Sequence, residues 1–290
     1  MTAVAVLVAA GCGAPQLADP PEITLPPTTA PQQELFPECD EAEQAEEATR
    51  SYAPDGATDG PSIEEIRAND RLVVGVSADT LQFGARNPLT GAIEGFDVAI
   101  LQEIAGAIFG EGGESKIEYR VMTYAERLPA LENGDVDLVA HTMTINCDRW
   151  KRIAFSSTYY DAGQKVLVPI GSEFGSIDDL VAVGGRVCVP GGSTNLEEIS
   201  REEYTAPEDG GTGIEVVERP DITDCLVAMQ QGDADAATGD DTVLVGLAAQ
   251  DPNLIVVGEP LTREPYGVGV RGDRVDLVRF VNGVLEDVRA

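Results

Sequence analysis

Apolar residues recur along the chain at two different spacings. Runs such as RLVVGVS, KIEYRVMT and VDLVAH predict strands, and GFDVAILQEIAGAIFG between the first two carries its apolar residues at helical spacing. Strands that alternate with helices indicate a parallel sheet in an α/β domain. The folded region is expected to begin with the helix of SIEEIRAND, where Ser62 and Glu65 fit a capping box.

The same alternation returns in the second half of the chain. GQKVLVPI, GIEVVE, DADAATG and LIVVG predict strands, and SIDDLVAV, DITDCLVAMQQ and DDTVLVGLAAQ predict helices between them. Two α/β units of similar size indicate two lobes. A cleft between lobes is a common place for a small-molecule site.

The first 60 residues follow neither pattern. MTAVAVLVAAGCGAP is a short apolar run that ends at Cys12, and VAAGC resembles the lipobox of bacterial lipoproteins, whose cysteine is lipidated after cleavage. No basic residue precedes it and Ala9 stands where leucine is commoner, so the true start is expected upstream. A buried N-terminal strand is the alternative. The proline-rich and acidic residues that follow predict a disordered tether.

Acidic side chains outnumber basic ones throughout the chain. Asp and Glu total 51 against 19 for Lys and Arg, a formal net charge of −32. A surface this acidic repels nucleic acid and anionic lipid, so no nucleic-acid partner is expected. The single histidine, His141, argues against a His-ligated metal site. No apolar run of about 20 residues, the length that spans a bilayer, follows the N-terminus.

Seven stretches occur in the order in which a known family of binding proteins carries them. They are GFDVAI, LPALENGDVDLVAHTMTI, DRWKRIAFSSTYYDAGQKVLV, SIDDL, GGSTN, DADAATGDDTVL and VVGEPLTREPYGVGVR. From RLVVGV onwards the chain is similar to the extracellular solute-binding proteins, family 3, of polar amino-acid ABC importers. Among them it resembles most the actinobacterial glutamate- and glutamine-binding lipoproteins. Such proteins usually continue past the point where this sequence ends at LEDVRA, so lobe 1 is expected to lack a final helix.

The resemblance implies an α/β fold of the periplasmic-binding-protein-like, type II kind, with two lobes joined by two crossing strands around a central cleft. The implied parts are a signal and lipobox at residues 1–12, a tether at 13–60, lobe 1 at 61–161 and 259–290, and lobe 2 at 162–258. No cofactor, metal or catalytic residue is implied. The implied partners are an amino acid, ABC permease subunits and, through lipid on Cys12, the outer face of the cell membrane. The protein is expected to be a monomer.

HTMTINCDRW is the stretch where the family places one half of its amino-acid site. The resemblance implies that Arg149 holds the ligand α-carboxylate, because a guanidinium matches a carboxylate bidentately. A solvated surface charge is the alternative for this arginine. Thr144 is expected to offer a hydroxyl and an N–H to the same carboxylate, and the backbone carbonyl of Thr142 is expected to accept from the ligand ammonium.

Three further residues of lobe 1 are implied to face the ligand side chain. Tyr124 stands where the family often places an aromatic ring over the ligand, and Phe83 is a weaker candidate for the same pocket. Arg127 precedes Arg149 by 22 residues, the spacing found in the acidic-amino-acid binders, where the earlier arginine holds the side-chain carboxylate. A position on the solvent face of a helix is the alternative for Arg127.

PGGSTN and TGDD supply the other half of the implied site from lobe 2. Gly192 permits a tight turn, and Ser193 and Thr194 open a helix whose free N–H groups can bind an anion. Pro190 stands where the family often has a lysine. Asp240 is implied to pair with the ligand ammonium, and its neighbour Asp241 is the less favoured choice, with a helix cap as its structural role.

Five cysteines, an odd number, leave one with another role in an exported chain. Lipid on Cys12 leaves four to pair in an oxidising compartment. Cys188 and Cys225 both fall in lobe 2 and are expected to pair, which leaves Cys39 for Cys147. A catalytic thiolate at Cys147 is the alternative, but it needs a base and the sequence holds only one histidine.

Three functions compete at this point. The first is a lipid-anchored binding protein that captures glutamate or aspartate for an ABC importer, with their amides left open as further ligands. The second is an amino-acid sensor that reports to a signalling partner through the same closure. The third is an enzyme like the cyclohexadienyl dehydratases, which share this fold and need a general acid at the leaving hydroxyl. A complete α-amino-acid clamp favours binding over turnover.

Overall fold

The computed structural model describes residues 49–207 and 211–290. These residues belong to one compact unit, Gln33–Ala290. The expected lipobox, Cys12, Cys39 and most of the expected tether lie outside the described residues.

Short strands and helices alternate along the described part of the chain. The strands are β1 Leu72–Val76, β2 Asp79–Thr80, β3 Gly84–Arg86, β4 Ile93–Glu94, β5 Ile117–Val121, β6 Leu138–Val139, β7 Ile153–Phe155, β8 Tyr160–Pro169, β9 Arg186–Pro190, β10 Glu215–Arg219, β11 Ala236–Asp240, β12 Leu254–Val257, β13 Arg263–Tyr266 and β14 Gly269–Arg271. The α-helices are α1 Pro61–Ala68, α2 Phe96–Phe109, α3 Arg127–Asn133, α4 Cys147–Trp150, α5 Ile177–Val183, α6 Thr194–Ile199, α7 Glu202–Thr205, α8 Ile222–Gln231, α9 Asp241–Gln250 and α10 Val275–Arg289. Two 3₁₀ turns, Gly113–Lys116 and Tyr124–Glu126, complete the set.

Two separate sheets divide this part of the chain into two lobes. Lobe 1 is built on a sheet with the strand order β5-β1-β6-β14-β7, and lobe 2 on a sheet with the order β10-β9-β11-β8-β12. The two-lobed α/β fold expected from the sequence is therefore confirmed. The sheets are mixed: β1, β5 and β6 run parallel, as do β9, β10 and β11, while β8, β12 and β14 join antiparallel.

Strands β8 and β13 pass between the lobes side by side. They pair antiparallel, with Tyr266 opposite Tyr160 and Glu264 opposite Ala162. The far end of β8 continues into the sheet of lobe 2, and β14, which follows β13, enters the sheet of lobe 1. These two strands are the crossing connection that the resemblance implied, and their side chains are placed where the lobes meet.

Each lobe has its own hydrophobic core. In lobe 1 the core lies between its sheet and helices α1, α2 and α10, and includes Ile66, Leu101, Phe155 and Val281. In lobe 2 apolar residues cover both faces of the sheet. No helix in residues 49–207 or 211–290 is long and apolar enough to cross a membrane.

A disulfide fastens helix α8 to the sheet of lobe 2. Cys188 on β9 is bonded to Cys225 in the first turns of α8, with their Cα atoms 5.4 Å apart. This is the pairing expected from the sequence. Cys147 is also disulfide-bonded, which agrees with a structural role for that thiol. Its bond to Cys39 stays a prediction, because Cys39 lies outside the described residues.

The start of the folded region lies earlier than the expected boundary at residue 61. Ser51 donates to the carbonyl oxygen of Phe155, and Asn282 donates to the carbonyl oxygen of Tyr52. The Tyr52 ring also meets Trp150 edge to face, with centroids 6.2 Å apart. No local sequence pattern indicates this docking, because its partners come from distant parts of lobe 1.

The prediction of a capping box at the first helix is wrong. Helix α1 begins at Pro61, so Ser62 lies inside the helix and Gly60 occupies the N-cap position. Ser62 instead directs its hydroxyl and its N–H to the carboxylate of Asp276, at 2.7 and 2.8 Å. Proline at the first helical position loses no hydrogen bond there, which favours a start at residue 61.

Candidate ligand-binding site

The turn after β6 carries Arg149 into the space between the lobes. Helix α4 is started by Asn146, whose side chain accepts from the Arg149 N–H at 2.9 Å. The Arg149 side chain is 4% exposed, and its Nη1 donates to the Thr144 carbonyl oxygen at 2.7 Å. Among the described residues this is the one hydrogen bond of its guanidinium, so its other N–H groups remain free to bind a ligand.

Arg127 is buried beside Arg149 and reaches across to lobe 2. Its Nε donates to the Tyr124 carbonyl oxygen at 2.9 Å, and Nη1 donates to the carbonyl oxygens of His141 and Thr142 at 3.0 and 3.4 Å. Its Nη2 donates to the Gly192 carbonyl oxygen of lobe 2 at 3.1 Å. A guanidinium has five N–H groups, so one donor of Nη2 is left. The alternative of a solvent-facing arginine is wrong, because the residue is 2% exposed.

Burial changes the proton affinity of both arginines. Desolvation first, and then the neighbouring charge of Arg149, lower the pKa of Arg127 to about 9. Desolvation likewise lowers the pKa of Arg149, which nearby carboxylates, Glu197 first among them, partly oppose. Neither guanidinium has a carboxylate within ion-pair distance among the described residues. Both guanidinium groups lack a close counter-charge among the described residues.

Thr142 is held in a conformation that β-branched residues rarely adopt. Its φ is 40°, in the left-handed region, and its N–H donates to Asp97 at 2.8 Å. The other oxygen of Asp97 accepts from the Tyr159 hydroxyl at 2.6 Å. Desolvation raises the pKa of Asp97 to about 6, although these hydrogen bonds favour the ionised form. Strained backbone of this kind concentrates at functional sites, which supports the position of Thr142 in this one.

Two aromatic residues expected at the ligand side chain are both buried. Tyr124 packs against the guanidinium of Arg127, whose carbon lies 4.6 Å from the ring centroid, and against the core of lobe 2. Phe83 packs edge to face on Tyr160 and Tyr266, with centroids 5.2 and 5.8 Å away. Tyr124 therefore lies with the arginines, while Phe83 lies over the connecting strands.

The lobe 2 residues approach lobe 1 closely. A Cβ on Gly192, whose φ is 76°, would lie 2.6 Å from the Cα of Ala125 in lobe 1. Ser193 caps helix α6, because its hydroxyl accepts from the Leu196 N–H at 3.1 Å and donates to the Pro190 carbonyl at 2.6 Å. The glycine turn thus lies against lobe 1, and the Ser193 side chain serves the turn itself.

Asp240 is buried at the end of β11, as its expected role requires. Its carboxylate accepts from Asn195 at 2.8 Å and from the Tyr266 hydroxyl at 2.6 Å. Desolvation, and then the charge of Glu264, raise the pKa of Asp240 to about 7. Asp241 is half-buried and is the first residue of helix α9, and its carboxylate accepts from the N–H of Thr242 at 2.7 Å. Asp240 occupies the N-cap position, so the cap role expected for Asp241 is wrong.

Glu264 on β13 is a buried carboxylate that no sequence pattern identified. One oxygen accepts from the hydroxyls of Thr144 and Thr194, at 2.6 and 2.7 Å, and the other accepts from the hydroxyl of Thr262. The hydroxyls expected to face the ligand are thus engaged with Glu264. A cavity of about 600 Å³ opens beside these residues. In the described residues no cluster of three or more His, Cys, Asp or Glu side chains could hold a metal ion.

Two α/β lobes joined by paired strands, with buried arginines and a buried aspartate where the lobes meet, define the class of two-lobed solute-binding proteins. The family model of bacterial extracellular solute-binding proteins, family 3, matches residues 72–290. The chain belongs to this family. Its members are binding proteins that work outside the cytoplasm, and the expectation of a non-enzymatic function is confirmed by them.

Relatives in two genera and a solved structure support the assignment. The ABC transporter glutamine-binding protein GlnH of Bacillus subtilis is 37% identical over 229 residues, which are 79% of this chain and 80% of the relative. The glutamate-binding protein GluB of Corynebacterium efficiens is 29% identical, over 77% of this chain and 75% of the relative. The arginine-bound form of truncated ArgBP from T. maritima, 33% identical, superposes with a TM-score of 0.68 and covers 78% of this chain and 99% of that one.

Proposed function

We propose that the protein captures an acidic amino acid, glutamate or aspartate, for an ABC importer. The observation that carries the proposal is the pair of buried arginines, Arg127 and Arg149, which lack a carboxylate partner within ion-pair distance among the described residues. A buried cation is unfavourable unless it is paired. A ligand with two carboxylates supplies one partner for each arginine.

Each end of such a ligand has a group that suits it. The α-carboxylate faces the free N–H groups of Arg149, and the ammonium faces the carboxylate of Asp240. The side-chain carboxylate takes the remaining N–H of Arg127. The aromatic ring of Tyr124 covers the same region and keeps water from the charged groups, which strengthens their interactions.

Glutamine is the second candidate, and one observation favours it. Four of the five N–H groups of Arg127 already donate to backbone carbonyls, which leaves a single donor for the ligand. One donor suffices for the carbonyl oxygen of an amide. The relative from Bacillus subtilis, which is named for glutamine, supports the same candidate.

The test is the ratio of the dissociation constants of glutamate and glutamine. Calorimetry on the wild-type protein is expected to give tighter binding of glutamate, and Arg127→Met is expected to weaken glutamate at least tenfold more than glutamine. Thr223→Val is the matched control, because it removes the hydrogen bond from Thr223 in lobe 2 to Asp79 in lobe 1 and touches no ligand. It should weaken both ligands equally. Tighter binding of glutamine or arginine than of either acid would reject the proposal.

The proposal includes the lipid anchor on Cys12 and delivery to permease subunits. It rests on the VAAGC stretch, on family membership and on the similarity to the ABC transporter glutamine-binding protein of Bacillus subtilis. Cells carrying Cys12→Ala should release the protein from the membrane fraction. Loss of the gene should abolish uptake of labelled glutamate. Normal uptake combined with a lost transcriptional response to glutamate would instead favour the sensor.

A further inference from the structure

Glu264 is a charged side chain that is almost completely buried between the lobes. It is 2% exposed, and three threonine hydroxyls, from Thr144, Thr194 and Thr262, donate to its two oxygens. Hydrogen bonds to a carboxylate are about twice as strong as those between neutral groups. These three donors account for the presence of an otherwise unfavourable buried charge.

The three hydroxyls come from three different parts of the fold. Thr144 lies in the turn of lobe 1 before α4, Thr194 is the first residue of α6 in lobe 2, and Thr262 directly precedes β13. The two hydroxyls that meet on one oxygen of Glu264 therefore belong to opposite lobes. The one oxygen can accept from both hydroxyls only when the lobes are close together. Thr262 directly precedes β13, so its bond to Glu264 does not depend on the distance between the lobes.

Glu264 is linked to Arg149 through Thr144. The Thr144 hydroxyl donates to Glu264 at 2.6 Å, and the Thr144 carbonyl oxygen accepts from Arg149 Nη1 at 2.7 Å. A hydroxyl has one proton, so the proton that Thr144 gives to Glu264 is not available to a ligand. The Thr144 N–H makes no hydrogen bond with another described residue. It remains, with the free N–H groups of Arg149, to bind a carboxylate.

We propose that Glu264 is a positioning residue of the carboxylate clamp, the pair formed by the Thr144 N–H and the free N–H groups of Arg149. Once the Thr194 hydroxyl of lobe 2 is bonded to it, Glu264 holds Thr144 and, through Thr144, Arg149 in place. Its role is to fix donors and not to contact the ligand. The proposal rests on the proposed function only in that the ligand is an α-amino acid, because the α-carboxylate is common to acidic and neutral amino acids. It predicts an effect on affinity and none on the choice between glutamate and glutamine.

The first test is Glu264→Gln, which keeps the shape and removes the charge. The dissociation constants of glutamate and glutamine should both rise about tenfold or more, by the same factor, as charge-assisted bonds become neutral ones. The wild-type ratio between the ligands should be retained. An unchanged or tighter affinity would overturn the proposal, since it would mean that the Glu264 charge only repels the ligand carboxylate.

The second test does not alter the buried charge. Thr194→Val removes the hydroxyl from lobe 2 and keeps the backbone. Thr205→Val is its matched control, because it removes another threonine hydroxyl of lobe 2, which donates to the Arg201 carbonyl oxygen and not to Glu264. Thr194→Val should weaken both ligands, Thr205→Val should leave affinity within about twofold, and the losses of Thr194→Val and Glu264→Gln should not add in the double variant. Fully additive losses would show that the Thr194 hydroxyl acts independently of Glu264, and would overturn the proposal.

Failure of the proposed function and failure of the Glu264 proposal give different binding results. If the wild-type protein prefers glutamine, the ratio of the two dissociation constants reverses, and the Glu264 variants are then measured with glutamine. If both ligands bind and Glu264→Gln changes their ratio, the acidic specificity stands and the positioning role of Glu264 is rejected.

Discussion

The guanidinium of Arg127 in lobe 1 donates a hydrogen bond to the carbonyl oxygen of Gly192 in lobe 2, at 3.1 Å. The bond runs directly across the cleft. It ties the residue proposed to choose the ligand side chain to the glycine turn of the opposite lobe. Under the proposed function, closure of the lobes and completion of the side-chain pocket would occur together.

Gly192→Ala should prevent this closure. A Cβ at this position would lie 2.6 Å from the Cα of Ala125, and the backbone there has φ 76°. We expect affinity for every amino acid to fall at least tenfold, measured by calorimetry. Gly232→Ala is the matched control, because it has the same φ and no atom within 4 Å of the new Cβ. It should lose a similar amount of stability and bind normally. Equal affinity in both variants would show that the contact with Ala125 is not needed.

Arg149→Ala should abolish binding of all amino acids, because its free N–H groups are the charged donors that we propose for the α-carboxylate. A loss of at least 100-fold is expected by calorimetry, with a circular dichroism spectrum like that of the wild type. Arg152→Ala is the control, since Arg152 is an exposed neighbour paired with Glu132. A loss that depends on the ligand side chain would place Arg149 outside the carboxylate clamp.

Ligand affinity should fall as the pH falls from 8 to 6. The pKa of Asp240 is raised to about 7 by burial and by Glu264, so the carboxyl becomes protonated in this window. A ligand ammonium favours the ionised form, so binding should release up to one proton and affinity should change by at most about tenfold per pH unit. Calorimetry in buffers of different ionisation enthalpy measures this release.

The same carboxyl should make the ligand-free protein less stable as the pH rises. Its pKa is raised from 3.8 in the unfolded chain to about 7, so the folded state holds the proton more tightly and stability falls between these values. Asp97, with a pKa of about 6, acts in the same direction.

Two variants test the proton release that accompanies ligand binding. Asp240→Asn should remove the release and Asp241→Asn should retain it. Release that persists in Asp240→Asn would point to Asp97.

Loss of the Cys188–Cys225 disulfide should lower the free energy of unfolding without removing a ligand contact. The bond closes a loop with a sequence separation of 37, worth about 4 kcal/mol in the chain-entropy model. The double variant Cys188→Ala, Cys225→Ala leaves the bond of Cys147 intact, so it isolates this effect. Urea unfolding measures it. An unchanged midpoint would mean that the unfolded chain gains little freedom from losing the bond.

The amino-acid pattern alone was enough to predict the two α/β lobes and to name the residues proposed for the site. Helical and strand spacing depends on neighbours a few residues apart, so β1, α2 and the lobe 2 elements could be predicted before any contact was known. Arg149, Thr144 and Asp240 could be proposed because they stand within stretches that resemble the family. The spacing of Arg127 left both a pocket position and a solvent-facing position open, and only the structure showed that this arginine is buried.

The hydrogen bonds that groups share across the cleft could be identified only from the folded lobes. Glu264 lies more than 60 residues from both Thr144 and Thr194, and nothing in the local pattern of TREPYG distinguishes it from an exposed acid in so acidic a chain. Ser62 satisfied a local capping pattern, yet Asp276, 214 residues away, takes its hydroxyl. Local spacing sets helices and strands, but the partner of a buried polar group is whichever donor or acceptor the packed lobes bring to it.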